Sequence, residues 1–178
     1  MKNIVVVSSS PRNNGNSDVL ANEFVRGAKE AGHNVTKVDI RKMSLNFCKG
    51  CFYCRTHGEC VIKDDVNALL SVVQNADVLV FATPICYYEM SGQLKTFLDR
   101  LNPLYDKENK FTDVYCIMTA ADDDPIAMDK AIGGVQGWID CFDGVSLKEC
   151  ISAVGLEGIG EAKTSKYFEQ AYEMGKRV

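Results

Sequence analysis

Apolar positions along the chain follow two periodicities in turn, and that alternation predicts the elements. Short runs suited to strands occur at Ile4–Val7, Val35–Ile40, Asp77–Ala82, Val114–Met118 and within Val145–Val154. Between them lie stripes at helical spacing. A helix from about Ser17 to Ala31 turns Leu20, Phe24, Ala28 and Ala31 inward and stops at Gly32. Val66, Leu69, Leu70 and Val73 form a second stripe, after Asp64 or Asp65 as cap, and Leu94, Phe97, Leu98 and Leu101 a third. Asp124-Pro125 opens a fourth helix, carrying Met128, Ile132, Val135, Ile139 and Phe142 and weakened by Gly133-Gly134. Phe168, Ala171 and Tyr172 face inward on a fifth.

Five strand–helix repeats predict an α/β fold: a three-layer, doubly wound sheet of five parallel strands with helices on both faces. The flavodoxin-like order 2-1-3-4-5 is favoured, and it puts a ligand crevice beyond the carboxyl ends of strands 1 and 3. A chain of 178 residues is read as one domain, 1–178. The net charge of −4, with no run of Lys or Arg, argues against nucleic-acid and membrane-surface roles. No stretch reaches the ~20 apolar residues of a membrane span. The first residues run straight into a core strand, which leaves no signal peptide and points to the cytoplasm.

The polar loop after strand 1 carries the first candidate chemistry. Ser8, Ser9, Ser10, Pro11, Arg12, Asn13, Asn14, Gly15, Asn16 and Ser17 contain hydroxyls, amides, one cation and one glycine, and lead into a helix start. Such a junction offers unpaired N–H groups and partial positive charge to an anion. Neither a Walker loop nor a G-x-G-x-x-G turn is present, so a single phosphate monoester such as that of FMN fits best. The competing reading is an ordinary turn capped by Asn16 or Ser17. The loop after strand 3, Thr83 to Gly92, supplies aromatic surface, small residues and backbone amides suited to a planar flavin ring. It could equally be an aromatic loop packed on the core or a dimer contact.

These two loops, written S-S-S-P-R-x-x-G-N-S and T-P-I-x-Y-Y-x-M-S-G-x-L-K-x-F-L-D-R, resemble those of the NADPH-dependent FMN reductases. The resemblance implies phosphate contacts at Ser10, Arg12, Asn16 and Ser17, and ring and ribityl contacts at Pro84, Ile85, Tyr87, Tyr88, Glu89 and Met90. Thr119, Ala120 and Ala121 match the third flavin loop, and Ser8 and Cys86 complete the candidate set. It also implies non-covalent FMN, NAD(P)H as co-substrate, and a homodimer or homotetramer. The cofactor carries the chemistry, so no protein catalytic base is sought, and Lys95 and Arg100 are read as covering their helix.

Four of the eight cysteines crowd into the long segment 41–63, as Cys48, Cys51, Cys54 and Cys60 in the pattern C-x2-C-x2-C-x5-C. Three thiols at two-residue intervals, with a fourth close by, suit a compact inorganic core better than zinc, which usually joins two separated C-x-x-C pairs. The spacing is similar to that of the iron–sulfur flavoproteins, a branch of the same family, which implies these four as ligands of a [4Fe–4S] cluster. Zinc and free or reversibly oxidised thiols stay open. Three functions follow: an NAD(P)H-dependent FMN oxidoreductase acting on quinones, nitro or azo compounds or free flavin; an electron carrier exchanging with ferredoxin; and a non-catalytic thiol or metal sensor.

Overall fold

The computed structural model describes residues 1–178. Strands β1 (Asn3–Ser8), β2 (Asn34–Asp39), β3 (Val78–Cys86), β4 (Glu89–Met90), β5 (Asp113–Thr119) and β6 (Ser146–Ala153) alternate with helices. The helices are α1 (Asn16–Glu30), α2 (Tyr53–His57), α3 (Asp65–Gln74), α4 (Gly92–Arg100), α5 (Asp129–Ile139) and α6 (Lys166–Arg177). The parallel sheet runs β2-β1-β3-β5-β6, which is the expected five-strand order once the two-residue β4 is set aside. On β1, alternate residues serve opposite layers. Ile4 and Val6 pack with α1 and α6, while Val5 and Val7 join the core under α3, α4 and α5. A strand buried on both faces needs such an unbroken β-branched run.

Two expectations need correction. The exit from β3 is not a free loop: β3 continues through Pro84 to Cys86 and turns back, pairing Ile85 with Met90 and Cys86 with Glu89. Proline is tolerated because pairing with β1 ends at Ala82, so Pro84 lies where β3 has lost its neighbour on that side. The turn is made by Tyr87 and Tyr88, both at positive φ (51° and 65°). Ala31, expected inside, is exposed at the C-cap, followed by Gly32 at φ 86°.

Of the α5 glycines only Gly134 has a close neighbour: its Cβ would stand 2.9 Å from the Met90 methyl, the far end of a flexible side chain, where the β4 hairpin crosses, while Gly133 and Gly137 meet nothing. Close glycine contacts set the opposite layer. A Cβ on Gly27 would lie 2.1 Å from the Tyr172 carbonyl oxygen, and one on Gly175 would lie 2.2 Å from that of Phe24. The α1 and α6 backbones therefore touch. Gly175→Ala should force them apart at a cost of ~1–3 kcal/mol. That corresponds to a Tm lowered by several degrees in thermal melts, at ~2–4 °C per kcal/mol for a chain this size.

Candidate functional site

Hydroxyls fix the mouth of the crevice. Ser9 Oγ donates to the Ala82 carbonyl (3.1 Å) and accepts from Ser91 Oγ (2.9 Å). The Ser91 N–H donates to Thr83 Oγ1 (3.0 Å), and Ser91 Oγ accepts from the Leu94 N–H as N-cap of α4. All three side chains are buried. They lock the exits of β1 and β3 and the start of α4 into one unit. A satisfied buried network of this kind resists rearrangement.

The start of α1 is left open. Gly15, not Asn16 or Ser17, occupies the N-cap, and no side chain caps the helix. The first backbone bond runs from the Val19 N–H to the Gly15 carbonyl (2.9 Å), so the preceding amides have no helical acceptor. Ser17 is 1% exposed, yet its Oγ has no hydrogen-bond partner. A Cβ on Gly15 would strike Ser10 Oγ at 2.2 Å, so glycine keeps this turn tight. An unpaired buried hydroxyl costs ~1–3 kcal/mol unless a ligand completes it. Unpaired amides and the helix dipole suit an anion at this point.

A cleft of about 290 Å³ opens there. It brings together Ser10, Arg12, Asn16 and Ser17 from the first loop, Pro84, Ile85 and Cys86 from the hairpin, and Thr119 and Ala121 after β5. Leu156 and Glu157, after β6, complete the wall; no motif in that segment marks them in the sequence. Several expected contacts are placed elsewhere. Ser8 Oγ is spent on Asp18 (2.8 Å), which Lys37 also contacts (2.6 Å). Burial works against the Asp18 charge, but hydrogen bonds from Lys37 and Ser8 and the charges of Lys37 and Arg41 outweigh it and hold its pKa below the usual carboxylate range. The Asn16 side chain donates to the Leu156 and Gly158 carbonyls and accepts from the Ala162 N–H, so only its backbone is free for an anion. Arg12 Nη1 donates to the Glu157 carbonyl (3.2 Å) across the cleft entrance. Ala120 and Met90 are buried, and Met90 belongs to the core. Tyr87, Tyr88 and Glu89 sit exposed on the hairpin tip, Tyr87 fully so.

The cysteine segment forms a second site. Cys48, Cys51, Cys54 and Cys60 line one small pocket with Arg100 and Asn102. Positive φ at Gly50 and Phe52 bends the backbone around it. No group of three Cys, His, Asp or Glu side chains converges on a single point in this segment. Sulfur-directed N–H groups are present: Asn102 Nδ2 donates to Cys54 Sγ (3.2 Å) and the Gly50 N–H to Cys48 Sγ (3.5 Å). His57 is exposed and stacks on Tyr53 at 3.8 Å.

Arg100 does not cover its helix surface; it is fully buried beneath this segment. Nη1 donates to Asp64 Oδ2 (2.5 Å) and the Asn46 carbonyl (2.9 Å). Nη2 donates to Asp64 Oδ1 (2.9 Å), the Ile62 carbonyl (3.2 Å) and Asn67 Oδ1 (3.2 Å). Both ends of the cysteine segment are thereby pinned to the end of α4.

Comparison with known proteins gives the family and the fold. A family profile described as NADPH-dependent FMN reductase matches residues 2–127, which take in the first three strand-exit loops and all four clustered cysteines. The chain belongs to the NADPH-dependent FMN reductase family. An iron–sulfur flavoprotein of Archaeoglobus fulgidus is 35% identical over 99 residues, covering 56% of this chain and 45% of that protein. The chain thus spans about half the length of the curated relatives it matches. Solved structures share the fold over nearly the whole chain. An NAD(P)H:quinone oxidoreductase from Methanothermobacter marburgensis superposes with a TM-score of 0.77 at 15% identity, covering 99% of this chain and 96% of that one. An FMN-dependent NADH-azoreductase from Bacillus anthracis, in complex with FMN, gives 0.73 at 12% identity over 99% of each chain.

Within this FMN reductase fold, the Arg100–Asp64 pair has a pH signature. Burial alone would raise the Asp64 pKa, but hydrogen bonds from Arg100 and Asn46 and the Arg100 charge bring it to about 2. A folded pKa below the unfolded value near ~3.9 stabilises above that value and is lost as pH falls through the folded one. Wild type should therefore lose roughly 2 kcal/mol between about pH 4 and pH 2 from this group. Asp64→Asn should be less stable at neutral pH, with the gap to wild type closing across that window in urea titrations.

Proposed function

We propose that the chain is an FMN-dependent oxidoreductase that draws electrons from NAD(P)H and delivers them to a small acceptor of the quinone, nitro, azo or flavin type. The observation carrying this reading is the buried, partnerless Ser17 hydroxyl at an uncapped helix start inside the cleft. Family membership supplies the cofactor that matches it. When bound, FMN supplies the redox chemistry, taking hydride at N5 and passing on two electrons or one at a time. The chain's share is placement. Ser17 Oγ and the free amides of the first α1 turn hold the phosphate, with Arg12 at the rim. Pro84, Ile85 and Cys86 give the ring one wall, and Thr119 and Ala121 give it another. Neither cleft histidines nor paired carboxylates are required. Tyr87 and Tyr88 project from the hairpin, where a second copy of the chain would cover them in a homodimer or homotetramer.

A second reading has its own support. Four cysteines share one pocket with N–H groups aimed at sulfur, and relatives named iron–sulfur flavoproteins match this chain. The donor set fits a thiolate-bound [4Fe–4S] cluster held by Cys48, Cys51, Cys54 and Cys60, adding one-electron chemistry and ferredoxin as exchange partner. Anaerobic bleaching of the flavin by NADPH, against bleaching by reduced ferredoxin, separates the two.

Ser17→Ala tests the cofactor assignment. FMN binding should weaken by ~1.5–3 kcal/mol, a tenfold loss or more by fluorescence titration. The cofactor-free variant should match or exceed wild type in stability, because an unpaired buried hydroxyl is removed. Unchanged FMN affinity would remove Ser17 from the phosphate site.

A further inference from the structure

One polar atom of the cysteine pocket has no role in the fold. Arg100 carries five N–H donors in a rigid fork. Those on Nη1 and Nη2 are spent on Asp64, Asn67 and the carbonyls of Asn46 and Ile62. The Nε–H is buried and has no partner. The side chain is completely enclosed, so water does not reach it. Its pocket is the one lined by the four cysteines. Cys60 lines that same pocket with Arg100. Two residues on, just past the end of α4, Asn102 aims its amide at Cys54 Sγ. A structural arginine has no reason to leave one donor dry, and a structural asparagine no reason to choose sulfur over a carbonyl.

We propose that Arg100 and Asn102 are positioning residues for a cluster on the four cysteines, with Asn102 Nδ2 donating to the Cys54 sulfur and Arg100 Nε to the Cys60 sulfur. The inference rests on the cluster reading given above. Hydrogen bonds and positive charge at ligand sulfurs stabilise the more negative, reduced state of an iron–sulfur centre and raise its potential. Each electron added makes the cysteine-bound assembly one charge more negative, and the pocket offers it the Arg100 guanidinium, paired with Asp64, and Lys49, against the carboxylate of Asp99. The long segment 46–62 is then more than a tether. Its two ends hang on the same arginine that faces the sulfurs, so metal retention and loop placement share one residue.

The test uses the full chain, reconstituted anaerobically with ferrous iron, sulfide and FMN. Iron and sulfide content, the rate of iron loss to a chelator, the cluster midpoint potential by electron paramagnetic resonance titration, and FMN content are measured for wild type, Asn102→Ala and Arg100→Lys. Both variants should keep FMN, lose iron about tenfold faster, and show a more negative midpoint. A tenfold change in preference for the reduced state reads as about 59 mV for a one-electron couple. Asn102 is only half-buried, so Asn102→Ala decides alone should Arg100→Lys fail to fold. A wild type that takes up no iron overturns the cluster reading and this inference with it. A wild type with a cluster, and an Asn102→Ala variant with unchanged midpoint and iron retention, overturns the inference while the cluster reading stands. Lowered thermal stability with no change in potential counts as a purely structural role and also overturns it.

Discussion

The buried pairing of Arg100 with Asp64 is the constraint on which the placement of the second site depends. Removing two charges from water is costly, and their attraction offsets that cost only when the remaining donors and acceptors are met. Here they are met by backbone carbonyls at positions 46 and 62 and by Asn67. The geometry is therefore all-or-none, and it dictates where a long, sparsely packed segment begins and ends. Asp64 acts twice, since it also accepts from the Val66 N–H as N-cap of α3. One carboxylate thus positions a helix start, an arginine and the segment that carries the clustered thiols.

The crevice is organised differently. Three hydroxyls, the Asp18–Lys37 pair at the first turn of α1 and the close crossing of α1 with α6 hold it. The Ser9, Thr83 and Ser91 network fixes strand exits relative to α4, while the glycine contacts of α1 with α6 fix the helix whose first turn lines the cleft. That first turn is left unfinished where other helices of this chain are capped by Asp64 and Ser91. An uncapped helix start of this kind, with its partial positive charge, suits an anion.

The sheet order was legible in the chain because each strand and helix carries its own period, and the parallel order then follows from short right-handed connections. The thiol spacing was equally local. What escaped was every contact whose partner is remote. Arg100 read as a surface cation because Asp64 is 36 positions away and Asn46 is 54. The side-chain bonds of Asn16 were hidden too, because its partners lie 140 or more residues downstream. The β4 hairpin was hidden by Pro84, a poor strand residue at the one place where a strand end tolerates it. Gly134 looked like a weak point in α5 until Met90 was found against it.

Helix α4 has one end in each site. Ser91 caps it beside the crevice, and Arg100 closes it under the thiols. Nine residues make a rod of roughly 13 Å, stiff and anchored at both tips. The crevice and the cysteine pocket are therefore spaced by a ruler, not a hinge. Lengthening or shortening that helix by a single residue would turn its far tip by about 100° and reorient one pocket against the other.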